Sequence, residues 1–199
     1  MNILVILGHP DPSSFNHAIA QTARDELISL GHDVVFHDLI AEKFDPYLPA
    51  GEIPKDAVLP PDIKLHCDEL ANADGVVIVH PNWWGMPPAV LKGWIDRVVR
   101  CGVAYEFEET DGGEGVPVRL LTRLKAVTVF NTGNTPLERE TAVFGDPLQR
   151  IWKDCVFGLC AEAEFHRRYF TVICLSTEEQ RQTWLGEVRQ MMRDIYGTK

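Results

Sequence analysis

Three short stretches of this chain combine hydrogen-bond donors, glycine and aromatic rings in a way that could hold a ligand. The first is "GHPDPSSFNHA", residues 8–18, where Ser13, Ser14 and Asn16 offer hydroxyl and amide donors. If a helix starts there, its first backbone N–H groups and its dipole favour an anion such as phosphate. His9 adds a donor, or a charge when protonated. The stretch carries neither GxGxxG nor GxxxxGK[ST], so the dinucleotide and P-loop fingerprints are absent. His9, Asp11 and His17 fit no zinc spacing and read as capping groups.

The second stretch, "PNWWGMPP", residues 81–88, places Trp83 and Trp84 on a turn. Gly85 permits close backbone approach, and Pro87 and Pro88 suit a helix start, where a missing N–H costs nothing. The two rings form an apolar wall for something flat, with at least one of them expected to pack into the core. The third, "NTGNTP", residues 131–136, is a loop of small polar residues whose N–H groups could converge on one point.

These stretches need elements to bring them together. Short apolar runs predict strands at residues 2–7, 33–37, 75–80, 126–131 and 170–175, and helical periodicity predicts helices at 16–30, 61–73, 88–100, 147–160 and 177–196. Five β-α repeats with continuously apolar strands predict an α/β fold: a doubly wound, five-stranded parallel sheet with helices on both faces. In such a sheet, turns at the carboxyl ends of the strands form the ligand site. No linker interrupts the 199 residues, so one domain over 1–199 is expected. Residues 40–60 and 106–117 read as long loops, functional or mobile, the acidic part at 106–114 being a solvated surface rather than a lid.

Composition narrows the partners. Twenty-nine acidic against 19 basic residues give a net charge of −10, which argues against nucleic acid or an anionic membrane. The N-terminal apolar run, Ile3 to Leu7, has no basic residue before it and reads as neither a signal peptide nor a membrane span. The five cysteines form no CxxC pair and read as reduced thiols of a cytoplasmic protein, mostly buried. His166, Arg167 and Arg168 read as a solvated turn.

A helix-start anion site, an aromatic turn and a donor-rich loop on one sheet edge describe a site for a flat ring system carrying a phosphate, the shape of a flavin mononucleotide. At this point the chain resembles the flavodoxin-like NAD(P)H:quinone oxidoreductases. The resemblance rests on "GHPDPSSFN", on "PNWWGMPPAVLKGWIDRV" followed by "GVAYEF", and on "NTGN", and runs from residue 2 to about 160. It implies that His9, Ser14, Phe15 and Asn16 hold the flavin phosphate, and that Pro81, Asn82, Trp83, Trp84 and Gly85 line the ring. Asn131, Thr132, Gly133 and Asn134 would donate to its polar edge and stabilise charge there. Animal members carry a tyrosine and a histidine after the third loop; here "TPLERETAVFGDP" has neither, and Phe144 stands where the histidine would be. The segment between Asp45 and Asp62 is shorter than in members that bind FAD, so FMN is favoured with FAD as the alternative.

The resemblance implies hydride transfer from NAD(P)H through the flavin to a quinone or similar flat aromatic acceptor, in ping-pong order, by a cytoplasmic homodimer. The rival reading is a flavodoxin-like electron carrier or an ancillary regulatory subunit of a transport system. A serine hydrolase on the same fold lacks GxSxG and an evident base beside the serine.

Overall fold

The computed structural model describes residues 1–108 and 115–197. Three strands, β1 (Asn2–Leu7), β3 (Gly75–Pro81) and β6 (Ala126–Thr132), are buried almost throughout. That is why they read as unbroken apolar runs: each is covered by helices on both faces. Two edge strands, β2 (Asp33–Asp38) and β7 (Glu164–Phe170), complete a parallel sheet in the order β2-β1-β3-β6-β7. On one face, Ile3, Val5, Leu7, Val77 and Phe130 pack against α1 (Phe15–Ser29) and α7 (Glu178–Tyr196). On the other, Leu4, Ile6, Ile78 and Val129 pack against α2 (Pro61–Asn72) and α3 (Ala89–Val98). The doubly wound five-stranded parallel sheet expected from the sequence is the observed one.

The last strand is displaced from its expected place. The run at 170–175 does not extend: Val172 adopts a left-handed φ of 54°, and Ile173–Leu175 form a 3-10 turn. The strand lies upstream at Glu164–Phe170, so His166, Arg167 and Arg168 are strand residues rather than a solvated turn. An edge strand half open to water tolerates such charged residues.

Other departures are local. Residues 147–160 are helical, as α5 (Pro147–Arg150), a π-helical stretch Ile151–Phe157 and α6 (Gly158–Cys160). A short helix not anticipated, α4 (Leu137–Ala142), follows the third loop. The expected loop at 106–117 begins and ends in a small antiparallel hairpin, β4 (Tyr105–Phe107) with β5 (Pro117–Arg119), while 109–114 lie outside the described residues.

Residues 40–60 are anchored rather than loose. Buried Arg97 donates to Glu52 at 2.6 and 2.9 Å and to the Asp45 carbonyl at 2.7 Å, and Arg100 donates to the Pro54 carbonyl. Of the cysteines, all free, Cys67 and Cys160 are buried, Cys101 is half-buried, and Cys155 and Cys174 are exposed, so most are not in the core. No helix among the described residues is long and apolar enough to cross a membrane.

Candidate functional site

Strand order reverses between β1 and β3, which places the turns after β1, β3 and β6 beside one another at the carboxyl edge. Hydrogen bonds tie them together. Asn82 N donates to the Thr132 carbonyl at 2.6 Å, and buried Asn16 donates to Thr132 Oγ1 at 2.9 Å.

In the first turn, Asp11 accepts from the N–H and hydroxyl of Ser13 at 2.8 and 2.7 Å, which holds its carboxyl below the usual range. Ser14 caps α1, and its Oγ lies 2.9 Å from His17 Nδ1, while His17 Nε2 lies 2.9 Å from Asp38 Oδ2. A serine, an imidazole and a carboxylate are therefore in line, contrary to the expectation that no base stands beside the serine. The serine is committed as a helix cap, and the line fixes its hydroxyl at the anion site. The backbone N–H groups of Phe15 and Asn16 find no partner among the described residues, as helix starts require. His9 Nδ1 lies 3.1 Å from Asp11 N and 3.3 Å from the Asp11 carbonyl, and burial lowers the pKa of the ring. The Phe15 ring does not face the turn: it packs against Phe170 and Trp184.

In the second turn, Trp83 and Met86 exchange backbone hydrogen bonds at 3.1 Å, and Trp84 and Gly85 at the tip have φ of 59° and 74°. Two successive positive φ values make the tight turn that suits Asn-Gly, so a tryptophan in the first of these positions is strained. This turn projects both rings outward: Trp83 is 45% and Trp84 93% exposed, so neither packs into the core as expected. The Asn82 amide holds the turn, accepting from Gly85 N at 2.9 Å and donating to Glu140 at 2.8 Å. A Cβ on Gly85 would come 2.7 Å from Pro147, so the turn can lie against α5 only with glycine there.

The third turn is braced from below. Asn131 is buried, donating to His80 Nε2 at 2.9 Å and accepting from Arg167 Nε at 2.7 Å, so its side chain supports the loop rather than reaching a ligand. His80 Nε2 also accepts from Trp152, and Nδ1 donates to the Pro81 carbonyl; burial, then the Arg167 charge, lower its pKa to about 3. Arg167 is paired with Asp146 at 2.7 Å. Thr132 faces Asn16, and Asn134 accepts from Cys174 N. The donors left over are the N–H groups of Asn134 and Thr135, which have no partner among the described residues.

Sequence reasoning missed several of these residues. Glu140 on α4 is 2% exposed, and Tyr169, 5% exposed, lies under Gly133 with its hydroxyl unpartnered. Arg167 Nη2 is likewise buried without a partner. Burial raises the Tyr169 pKa, keeping its O–H intact. Between Trp84 and Phe144 lies a cavity of about 500 Å³, with Asn82, Thr135, Glu140 and Pro147 in its lining. Unpartnered N–H groups at a helix start and in a facing loop, with two exposed indoles between them, suit a flat phosphate-bearing group.

Residues 1–161 match the flavodoxin-like fold family. The chain belongs to that family. The match ends where the resemblance of the three turns was expected to fade. Among relatives of this flavodoxin-like chain, a Haemophilus influenzae protein named an uncharacterized NAD(P)H oxidoreductase is 38% identical over 119 residues, 58% of this chain and 57% of that one. The rat NAD(P)H dehydrogenase [quinone] 1 is 34% identical over 123 residues, 52% of this chain and 45% of its own. The matches thus span about half the length of these relatives. The crystal structure of Smu.1420 from Streptococcus mutans UA159 superposes with a TM-score of 0.82 at 30% identity, covering 98% of this chain and all of that one.

Proposed function

We propose that this chain is a flavin-dependent oxidoreductase that passes a hydride from NAD(P)H to a quinone or similar flat aromatic acceptor in ping-pong order. The observation that carries the reading is the meeting of unpartnered donors from the first and third turns beside two outward-facing tryptophans. The names of the relatives above support it.

His9, Ser14 and the N–H groups of Phe15 and Asn16 would hold the flavin phosphate, aided by the α1 dipole. Pro81 to Gly85 would line the ring. Asn131 and Thr132 hold the third loop in place, and Gly133 N is taken up by the Phe170 carbonyl, so the N–H groups of Asn134 and Thr135 are the backbone donors presented to the ring's polar edge. Bound there, the flavin would supply the hydride chemistry. The protein's part is to orient the ring, exclude water from it and stabilise negative charge with fixed donors, which act strongly where water is excluded. The acceptor and the nicotinamide would use the cavity between Trp84 and Phe144 in turn, and sharing one place imposes the ping-pong order.

FMN is favoured over FAD because of the short 45–62 segment, which Arg97 and Arg100 hold against α3. Free cysteines suit a reducing, cytoplasmic setting. A single domain assembled as a homodimer completes the proposal.

Initial rates measured against both substrates test it. Parallel double-reciprocal lines are expected, and intersecting lines would contradict a shared site. Replacing Trp83 and Trp84 together with alanine should raise KM for flat acceptors; unchanged turnover would remove the wall's role.

A further inference from the structure

We propose that Glu140 gives the acceptor cavity a fixed negative charge that selects neutral and cationic flat acceptors and rejects anionic ones. The inference rests on the oxidoreductase reading and adds the substrate class.

Charge accounting around the cavity singles out this residue. Asp146 is matched by Arg167 at 2.7 Å. Glu140 takes part in no ion pair among the described residues; its carboxylate accepts from the neutral Asn82 amide at 2.8 Å. Asn82 cannot turn its oxygen toward Glu140, because that oxygen accepts from Gly85 N. The carboxylate is therefore held as an acceptor by a donor without charge. It lies in the lining of the cavity and is 2% exposed, so bulk water and salt screen it poorly.

The rest of the cavity lining, Asn82, Trp84, Gly85, Thr135, Phe144 and Pro147, carries no charge. Trp84 and Phe144, both exposed, supply apolar faces at the mouth. An uncharged or cationic ring can rest on these faces beside the carboxylate, whereas a sulfonate or carboxylate would meet the Glu140 charge with no cation in the lining to offset it.

The alternative role for Glu140 is structural: it holds Asn82, and through it the tryptophan turn. The two roles separate by ratio. In FMN-loaded protein, kcat/KM is measured for three naphthoquinones differing only in one substituent: neutral, sulfonate or trimethylammonium. In parallel, dissociation constants of redox-inactive naphthalene amide and naphthalene sulfonate are read from quenching of tryptophan fluorescence, which needs no turnover.

The wild-type protein is expected to prefer the neutral over the sulfonated partner by about tenfold or more in both measurements. Glu140→Gln, which keeps an acceptor for Asn82, should bring both ratios within about twofold. Glu138→Gln removes the same net charge from an exposed position of the same helix and should leave the ratios unchanged. Equal weakening of every acceptor by Glu140→Gln, or a wild-type protein indifferent to the sulfonate, would overturn the inference. If the bound flavin is not reduced by NAD(P)H, the oxidoreductase reading fails instead, and the fluorescence ratio still reports on the cavity charge.

Discussion

Replacing Gly133 with alanine probes how the third turn is braced. Gly133 N donates to the Phe170 carbonyl at 3.0 Å, and its own carbonyl accepts from Ile173 N at 3.1 Å, so the backbone is held on both sides. A Cβ there would overlap the Tyr169 hydroxyl and stand 2.9 and 3.0 Å from ring atoms Cζ and Cε2. Tyr169 has little room to retreat, being buried with the Arg167 guanidinium 5.5 Å from its ring centre. Overpacking of this kind costs about 1–3 kcal/mol. Tyr169→Phe alone removes a hydroxyl that has no protein partner, and should be neutral or stabilise the flavin-free protein by up to about 1 kcal/mol. The double variant loses the hydroxyl overlap but keeps the ring contacts, so a recovery of about 1 kcal/mol is expected. Urea unfolding of the four proteins without flavin measures this coupling, and FMN fluorescence titration measures its effect on binding. Additive free energies, within about 0.5 kcal/mol, would refute the contact on which the reasoning rests.

Two further perturbations test the frame around the site. His80 and His66 have pKa values lowered by burial to about 3 and about 4, so below pH 6.5 the unfolded chain binds protons that the folded chain does not. Stability should therefore fall as pH drops from 6.5 toward 4, each histidine contributing up to about 1.4 kcal/mol per pH unit. His66→Phe should flatten that fall in urea midpoints measured across the range, and an identical slope would contradict the account. Glu52→Ala leaves the Arg97 guanidinium buried and unpaired, which should cost about 3–5 kcal/mol by urea unfolding. A loss below about 1 kcal/mol would mean that the 40–60 segment is not fastened through this pair.

The central strands were legible because burial on both faces leaves an unbroken apolar run, as in Val76 to Val79. The edge strand was not, because Glu164–Phe170 mixes charged residues with apolar ones, while the more apolar stretch downstream is bent by Val172. A signal was nevertheless present: Phe165, Arg167 and Tyr169 alternate along β7, and Arg167 and Tyr169 both lie against the site's supporting residues.

The three turns could be found from residue types alone, since donors, glycines and helix starts are local properties. Their supports could not. Whether Glu138 or Glu140 points inward depends on how α4 docks, and Asp38 reaches His17 only because β2 pairs with β1. The outward tryptophans were misjudged because hydrophobicity favours burial, whereas the positive φ at Trp84 and Gly85 turns the rings away from the core.

The most direct test of the central claim is the absorption spectrum of the purified protein, loaded with FMN and titrated with NADH or NADPH without oxygen, then with a quinone. Rapid loss of the oxidised flavin spectrum, and its return on adding quinone, is the predicted result and identifies the preferred donor. Flavin that binds but stays oxidised would favour an electron carrier or regulatory subunit, and a protein that binds neither FMN nor FAD would contradict the account of the tryptophan turn.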